Sequence, residues 1–273
     1  MDHIAISPDD VAPLSPVAPG VVGLRILIVN VFAVGDRSRW TLVDGGLYGS
    51  AGRIRRWAEE HFGDTAPSAI VLTHAHFDHV GALEALLDEW RVPVMVHADE
   101  MPYVTGRRAY PAPDPSVGGG LMARLAGLYP REPIDLGSRV QELLPDGSIP
   151  TMPGWRWIHT PGHTAGHVSL FREDDRTLIV GDAFCTTRQE SFLAVATQTP
   201  ELHGPPAYFT TDWDAARDSV RQLAALDPAF VAPGHGQAIA GPAVTRELRD
   251  LATRFDELAR PAQGRYVEKP VRG

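Results

Sequence analysis

The strongest constraint in this chain is a recurring pattern in which a short apolar or β-branched run stops and a histidine or aspartate follows at once. It appears first in "AIVLTHAHFDH" (Ala69 to His79), where four apolar residues lead into three histidines and an aspartate. It returns where Trp155 to His159 runs into "TPGHTAGH" (Thr160 to His167), where "TLIV" runs into "GDAF" (Gly181 to Phe184), and where "FV" runs into "PGHG" (Pro233 to Gly236). Loops held by the ends of buried strands are where rigid scaffolds present functional groups, so four such loops can meet on one rim. Neighbouring imidazoles repel when protonated and waste hydrogen-bonding capacity when neutral, so the crowding at Thr73 to His79 reads as a metal site. Glycine beside His163, Asp182 and His235 lets the backbone turn tightly and leaves room at the ligand atoms.

The remaining periodicity places these loops on elements. Leu24 to Val34 and Trp40 to Asp44, separated by "GDRSR", read as the two strands of a hairpin. Ile54, Trp57, Ala58 and Phe62 fall at helical spacing, as do Val80, Leu83, Leu86, Leu87 and Trp90. Ala69 to Leu72 and Val94 to Val96 read as strands, and further strands are expected near Arg139 to Leu144, Trp155 to His159, Val168 to Phe171, Thr177 to Val180 and Phe230 to Pro233. Two later helices are predicted, one capped by Thr211 with Trp213, Ala216, Val220, Leu223 and Ala224 on one face, the other from Pro242 to Ala259. Residues 1–23 form an extended proline-rich lead-in, 24–259 a single domain, and 260–273 a C-terminal tail. Residues 101–135, with prolines at 102, 111, 113, 115, 130 and 133 around "GGG", form an insertion or lid. Two halves, each of strands followed by helices, suggest an α+β chain with two sheets packed face to face and helices outside.

Charge and cysteine usage narrow the function. A net charge of −9, with 25 basic residues scattered along the chain, argues against a nucleic-acid surface. Cys185 is the only cysteine, which excludes an internal disulfide and a thiolate cluster. "MDHIAISPDD" has acids where an export signal has Lys or Arg, and no apolar run approaches the roughly 18 residues of a membrane span. The expectation is a soluble cytoplasmic protein acting on a small-molecule substrate, with neither nucleic acid nor membrane as partner and the oligomeric state open.

The ordered set "HAHFDH", "PGHT", "GD" and "PGHG" resembles the metallo-β-lactamase superfamily over roughly Leu24 to His235. The resemblance implies an αββα sandwich of two mixed β-sheets flanked by helices, with a two-metal site at one edge. It implies that His74, His76 and His163 hold one metal, that Asp78, His79 and His235 hold the other, and that Asp182 bridges them. Two divalent ions per chain are expected; imidazole and carboxylate donors suit zinc, with manganese or iron also compatible. Such a pair lowers the pKa of a shared water, giving a metal-bridging hydroxide for hydrolysis. Asp78 is the candidate catalytic residue, steering the proton of that nucleophile. Asp44, in "VDGG", either orients a ligand imidazole or forms a turn, whereas His159 and His167 read as structural or supporting partners and His97 as a strand-end residue.

The implied reaction is hydrolysis of a small-molecule ester, thioester or lactone, similar to the glyoxalase II and lactonase-like branches. Lactonases of this superfamily carry a tyrosine three positions after the bridging aspartate; here that position is Cys185, and Tyr208 is the candidate replacement from another loop. Persulfide dioxygenases share a similar "HxHxDH" loop but use a single iron, so a mononuclear-iron oxidoreductase is the first alternative. A β-lactam hydrolase is the second.

Overall fold

Alternation along the strands decides how the layers stack. The computed structural model describes residues 17–198 and 200–271, so most of the predicted lead-in, residues 1–16, lies outside the described part. The first sheet runs in chain order through β1 (Val21–Ile26), β2 (Val29–Gly35), β3 (Trp40–Val43), β4 (Ile70–Val71), β5 (Val94–Val96) and β6 (Val140–Glu142). Its first three strands pair antiparallel and its last four in parallel. The second sheet contains β7 (Trp155–His159), β8 (Val168–Arg172), β9 (Thr177–Gly181), β10 (Phe230–Pro233) and β11 (Ile239–Ala240), in the order β11-β10-β9-β8-β7. Only β9 and β10 pair in parallel there, so both sheets are mixed.

The helices are α1 (Ala51–Phe62), α2 (Phe77–Val80), α3 (Leu83–Trp90), α4 (Met101–Val104), α5 (Leu121–Leu125), α6 (Phe192–Thr197), α7 (Trp213–Ala224), α8 (Pro242–Thr253), α9 (Phe255–Leu258) and α10 (Arg265–Glu268). On β2, Val29, Val31 and Ala33 face α1 and α3 in a cluster with Ile54, Trp57, Leu83 and Leu86. Phe32 and Val34 face the other way, into a cluster shared with Trp155, Leu170 and Ile179 of the second sheet. On β9, Ile179 enters that central cluster while Leu178 and Val180 meet Trp213, Val220 and Leu248 of α7 and α8. Both faces of these strands are covered, which is why they read as unbroken apolar runs. Each fully buried aliphatic side chain contributes about 1.5–3 kcal/mol, so the three clusters hold the layers together. The result is the expected αββα sandwich.

Several boundaries differ from the sequence reading, each for a local reason. The run Leu24 to Val34 is two strands, because the chain turns at Leu27, which has φ +56° and is exposed. β1 also begins at Val21, inside the segment read as extended. The helix expected around Val80 to Trp90 is broken between α2 and α3, where Gly81 N–H donates to the Gly46 carbonyl at 2.8 Å. The N-cap of α7 is Asp212, not Thr211: its carboxylate accepts from the N–H groups of Asp214 and Ala215, while the Thr211 hydroxyl turns to the Gly162 carbonyl at 3.5 Å. The helix expected from Pro242 to Ala259 is interrupted at Arg254. The tail read as extended from Arg260 contains α10 and is tied down, with the Tyr266 hydroxyl donating to the Ala112 carbonyl at 2.5 Å and Val271 N–H to the Thr211 carbonyl at 3.0 Å.

Candidate metal centre

The sandwich brings one end of both sheets to a common rim. His74 follows β4, His76 occupies the N-cap of α2, and Asp78 and His79 lie within that four-residue helix. His163 lies between β7 and β8, Asp182 directly after β9, and His235 two residues after β10. None of these seven residues is more than 5% exposed. Their donor atoms fall into three groups, each within 4.8 Å: His74, His76 and His163; His74, His79 and Asp182; and Asp78, His79 and His235. Every group takes residues from both sheets. Asp182 sits between the outer two groups, with Oδ2 3.5 Å from His163 Nε2 and 3.1 Å from His235 Nε2, and Oδ1 3.5 Å from His79 Nε2.

Surrounding groups fix the imidazole orientations. Asp44, at φ +64°, aims Oδ2 at His79 Nδ1 (2.9 Å) and accepts from Thr73 N–H (2.8 Å) and the Thr73 hydroxyl (2.9 Å). Of the two readings of Asp44, its contacts match the orienting one. The Ile28 carbonyl lies 2.6 Å from His235 Nδ1, and the Asn30 amide donates to the carbonyls of Pro233 and Gly236, so the unforeseen turn at Leu27 is what supports His235. His167 accepts from Asp182 N–H (2.8 Å), and His159 pairs through Nε2 with the Ala165 carbonyl (2.8 Å), as supporting partners should.

The donor set fits divalent cations. His74 Nε2, His79 Nε2 and Asp182 Oδ1 are buried and find no hydrogen-bond partner among the described residues. Such orphaned polar atoms are rare in folded interiors and call for an explanation. Burial, reinforced by like charge on neighbouring imidazoles, holds His74 and His163 well below the ordinary histidine range. Burial likewise pushes His76 down to about 3, against the pull of Asp182. Those three rings are therefore neutral, the form that ligates.

His79 and His235 behave oppositely. Burial resists their charging, but Asp182, Asp44 and Asp78 around His79, and Asp182 and Asp78 around His235, outweigh it and raise both pKa values. Both rings hold a proton more readily than a free imidazole, and a cation would compete for it. Cation loading near pH 7 is therefore expected to release protons and to tighten as pH rises. Calorimetric titration in two buffers of different ionisation enthalpy reads this out, and a buffer-independent heat would contradict it.

An aromatic wall flanks the site. Phe209 lies 4.6 Å from His76 between ring centroids, with Tyr208, Tyr129 and Phe77 packed around it. Tyr208 is buried, and burial with nearby carboxylates, Glu190 first, keeps its phenol protonated. Cys185 is buried, held as a thiol by burial and by Asp182, and joins none of the donor groups. Tyr110, from the insertion, packs its ring 4.4 Å from His76, and Glu100 accepts from Ala75 N–H; sequence reasoning assigned neither a role. No motif marks them. A weak signal was available in the acid of "VHADE", which stands just past a strand end as the candidate donors do.

A family model for the metallo-beta-lactamase superfamily matches residues 24–235. The chain is 46% identical over 245 residues to the "probable metallo-hydrolase YflN" of Bacillus subtilis, covering 88% of this chain and 93% of that one. Among solved structures, TTHA1623 in a di-iron-bound form aligns with TM-score 0.52 and 27% identity, covering 80% of this chain and 93% of that one. ST1585 from Sulfolobus tokodaii, described as an archaeal metallo-beta-lactamase superfamily protein, shares the fold at TM-score 0.60 and 20% identity, covering 86% of each chain.

Proposed function

Because the chain belongs to the metallo-β-lactamase superfamily of metal-dependent hydrolases, we propose that it is a dinuclear hydrolase of a small-molecule ester, thioester or lactone. The observation that carries this reading is the pair of buried triads joined through Asp182, with donor atoms left unsatisfied on both sides of it. In this reading His74, His76 and His163 hold the first cation, Asp78, His79 and His235 the second, and Asp182 bridges. Bound divalent cations would supply an acidified shared water and a counter-charge for the oxygen of a tetrahedral intermediate. The chain's own residues supply the rest. Asp44 and the Ile28 carbonyl keep His79 and His235 in one tautomer, with Nε2 facing the carboxylates. Asp78, whose Oδ2 lies 3.4 Å from His235 Nε2, would take the proton of the attacking water in this reading. The wall of Phe77, Tyr129, Tyr208 and Phe209 suits an apolar acyl or leaving group and keeps bulk water from one side of the site.

Zinc is the favoured ion on donor chemistry, and iron is the second reading, favoured by the di-iron form of TTHA1623. No helix among the described residues is long and apolar enough to cross a membrane. The test is metal analysis of purified protein followed by a panel of thioesters, lactones, a β-lactam and a persulfide. Two ions per chain with turnover of a thioester or lactone supports the proposal. One iron per chain with oxygen consumed on the persulfide would replace it with the oxidoreductase, and turnover of the β-lactam alone with the third reading.

A further inference from the structure

Glu100 is fully buried at the end of a short turn of 3-10 helix, Ala98–Glu100, and belongs to none of the three donor groups. A carboxylate without partners would be costly there, yet this one is saturated. Oε2 accepts from Ala75 N–H at 3.0 Å and from the Tyr110 hydroxyl. Oε1 accepts from Gly166 N–H at 3.0 Å and from the Thr164 hydroxyl at 2.7 Å. Ala75 stands between His74 and His76, and Thr164 directly follows His163. One side chain thus joins the two loops that supply the first triad, which arise from different sheets. Neither the Asp182 loop nor the His235 loop is among its partners. The packing is close: a Cβ at Gly166 would come within 2.7 Å of Glu100 Cγ. Tyr110 braces the arrangement, its ring against His76 at 4.4 Å and stacked on Tyr103 at 3.8 Å.

We infer that Glu100, with Tyr110 as its partner, is a positioning residue that sets the spacing of His74, His76 and His163 and hence the affinity of the first triad for its cation. The inference rests on the two-site reading given above. Each carboxylate oxygen faces a backbone N–H that can only donate, so glutamine, although nearly the same shape, must turn its own NH2 against one of them. The pair of loops is then pushed apart on one side; Asp78 and His79 share the Ala75 loop, but the direct supports of the second triad, Asp44 on His79 and the Ile28 carbonyl on His235, are untouched.

Competition titrations with a chromophoric zinc chelator separate the sites when made in two single-triad backgrounds. In His235→Ala, which retains the first triad, Glu100→Gln should weaken zinc binding about 10–100-fold, and in His163→Ala, which retains the second, by less than about threefold. Tyr110→Phe, which keeps the ring but loses the hydroxyl, should shift the first background in the same direction by a smaller factor. Equal losses in both backgrounds, or no loss in the first, would overturn the inference. If Glu100→Gln lowers the melting temperature of the metal-free protein too far to titrate, Tyr110→Phe is judged by the same criterion. Wild-type protein that holds fewer than two zinc ions would sink the two-site reading instead, a result separate from either comparison.

Discussion

Asp182→Ala is expected to empty both triads, with zinc per chain falling from about two ions to below about half of one and hydrolysis by about a thousandfold or more. Asp182 reaches members of both groups, its Oδ2 approaching His163 and His235 while its Oδ1 approaches His79. Removing it deletes a shared donor and the negative charge that offsets two neighbouring cations, so neither site survives the loss of the other. His235→Ala is the control of narrower reach: it touches one triad only and should leave about one ion per chain. Metal content is read by mass spectrometry on dialysed protein. Full occupancy in both variants would mean that the donors have been assigned wrongly.

A second large effect is expected from the smallest substitution available. A Cβ on Gly234 would lie 2.1 Å from Asp182 Oδ1 and 3.0 Å from His79 Cε1. Gly234 is not among the residues with positive φ, so alanine suits its backbone and only the space forbids it. The side chain that must move is the Asp182 carboxylate, the proposed bridge. Gly234→Ala should therefore lower zinc affinity at both triads and catalytic rate about 10–100-fold, a scale set by loss of ligand orientation, with the far-UV circular dichroism unchanged. Zinc affinity equal to wild type would show that Asp182 retreats from a methyl group without cost.

The parts of this site that were readable in the sequence share one property: the informative residues are close in the chain to the strand that presents them. The seven donors stand within a few residues of apolar runs, and those runs are recognisable because helices cover one face and the opposite sheet the other. What escaped notice depends on contacts between distant segments. Glu100 meets Thr164 and Gly166 across more than sixty residues, and Tyr110 arrives from a proline-rich stretch that carries no periodicity. Asp44 was noticed but its reach to His79 is fixed by a left-handed backbone conformation that composition does not reveal. The turn at Leu27 lies within the apolar stretch Ile26 to Val29, with no glycine, proline or asparagine at its corner, so local pattern merged β1 and β2. Thr211 and Asp212 are both good caps; the Thr211 hydroxyl is turned instead to the carbonyl of Gly162, forty-nine residues away, at 3.5 Å.

Each triad draws its members from both sheets, and this orders events during the making of the protein. The first sheet is complete by Glu142 and the second begins at Trp155, so each half can form its own strand pairs before the two meet. A nascent chain that has made only the first half has His74, His76, Asp78 and His79 in place but lacks His163, Asp182 and His235, and so offers no finished nest for an ion. Loading would then follow docking of the halves, and a captured ion would act as a rivet across the seam, opposing its reopening. A cation held in this architecture would be a witness to completed folding as well as a reagent.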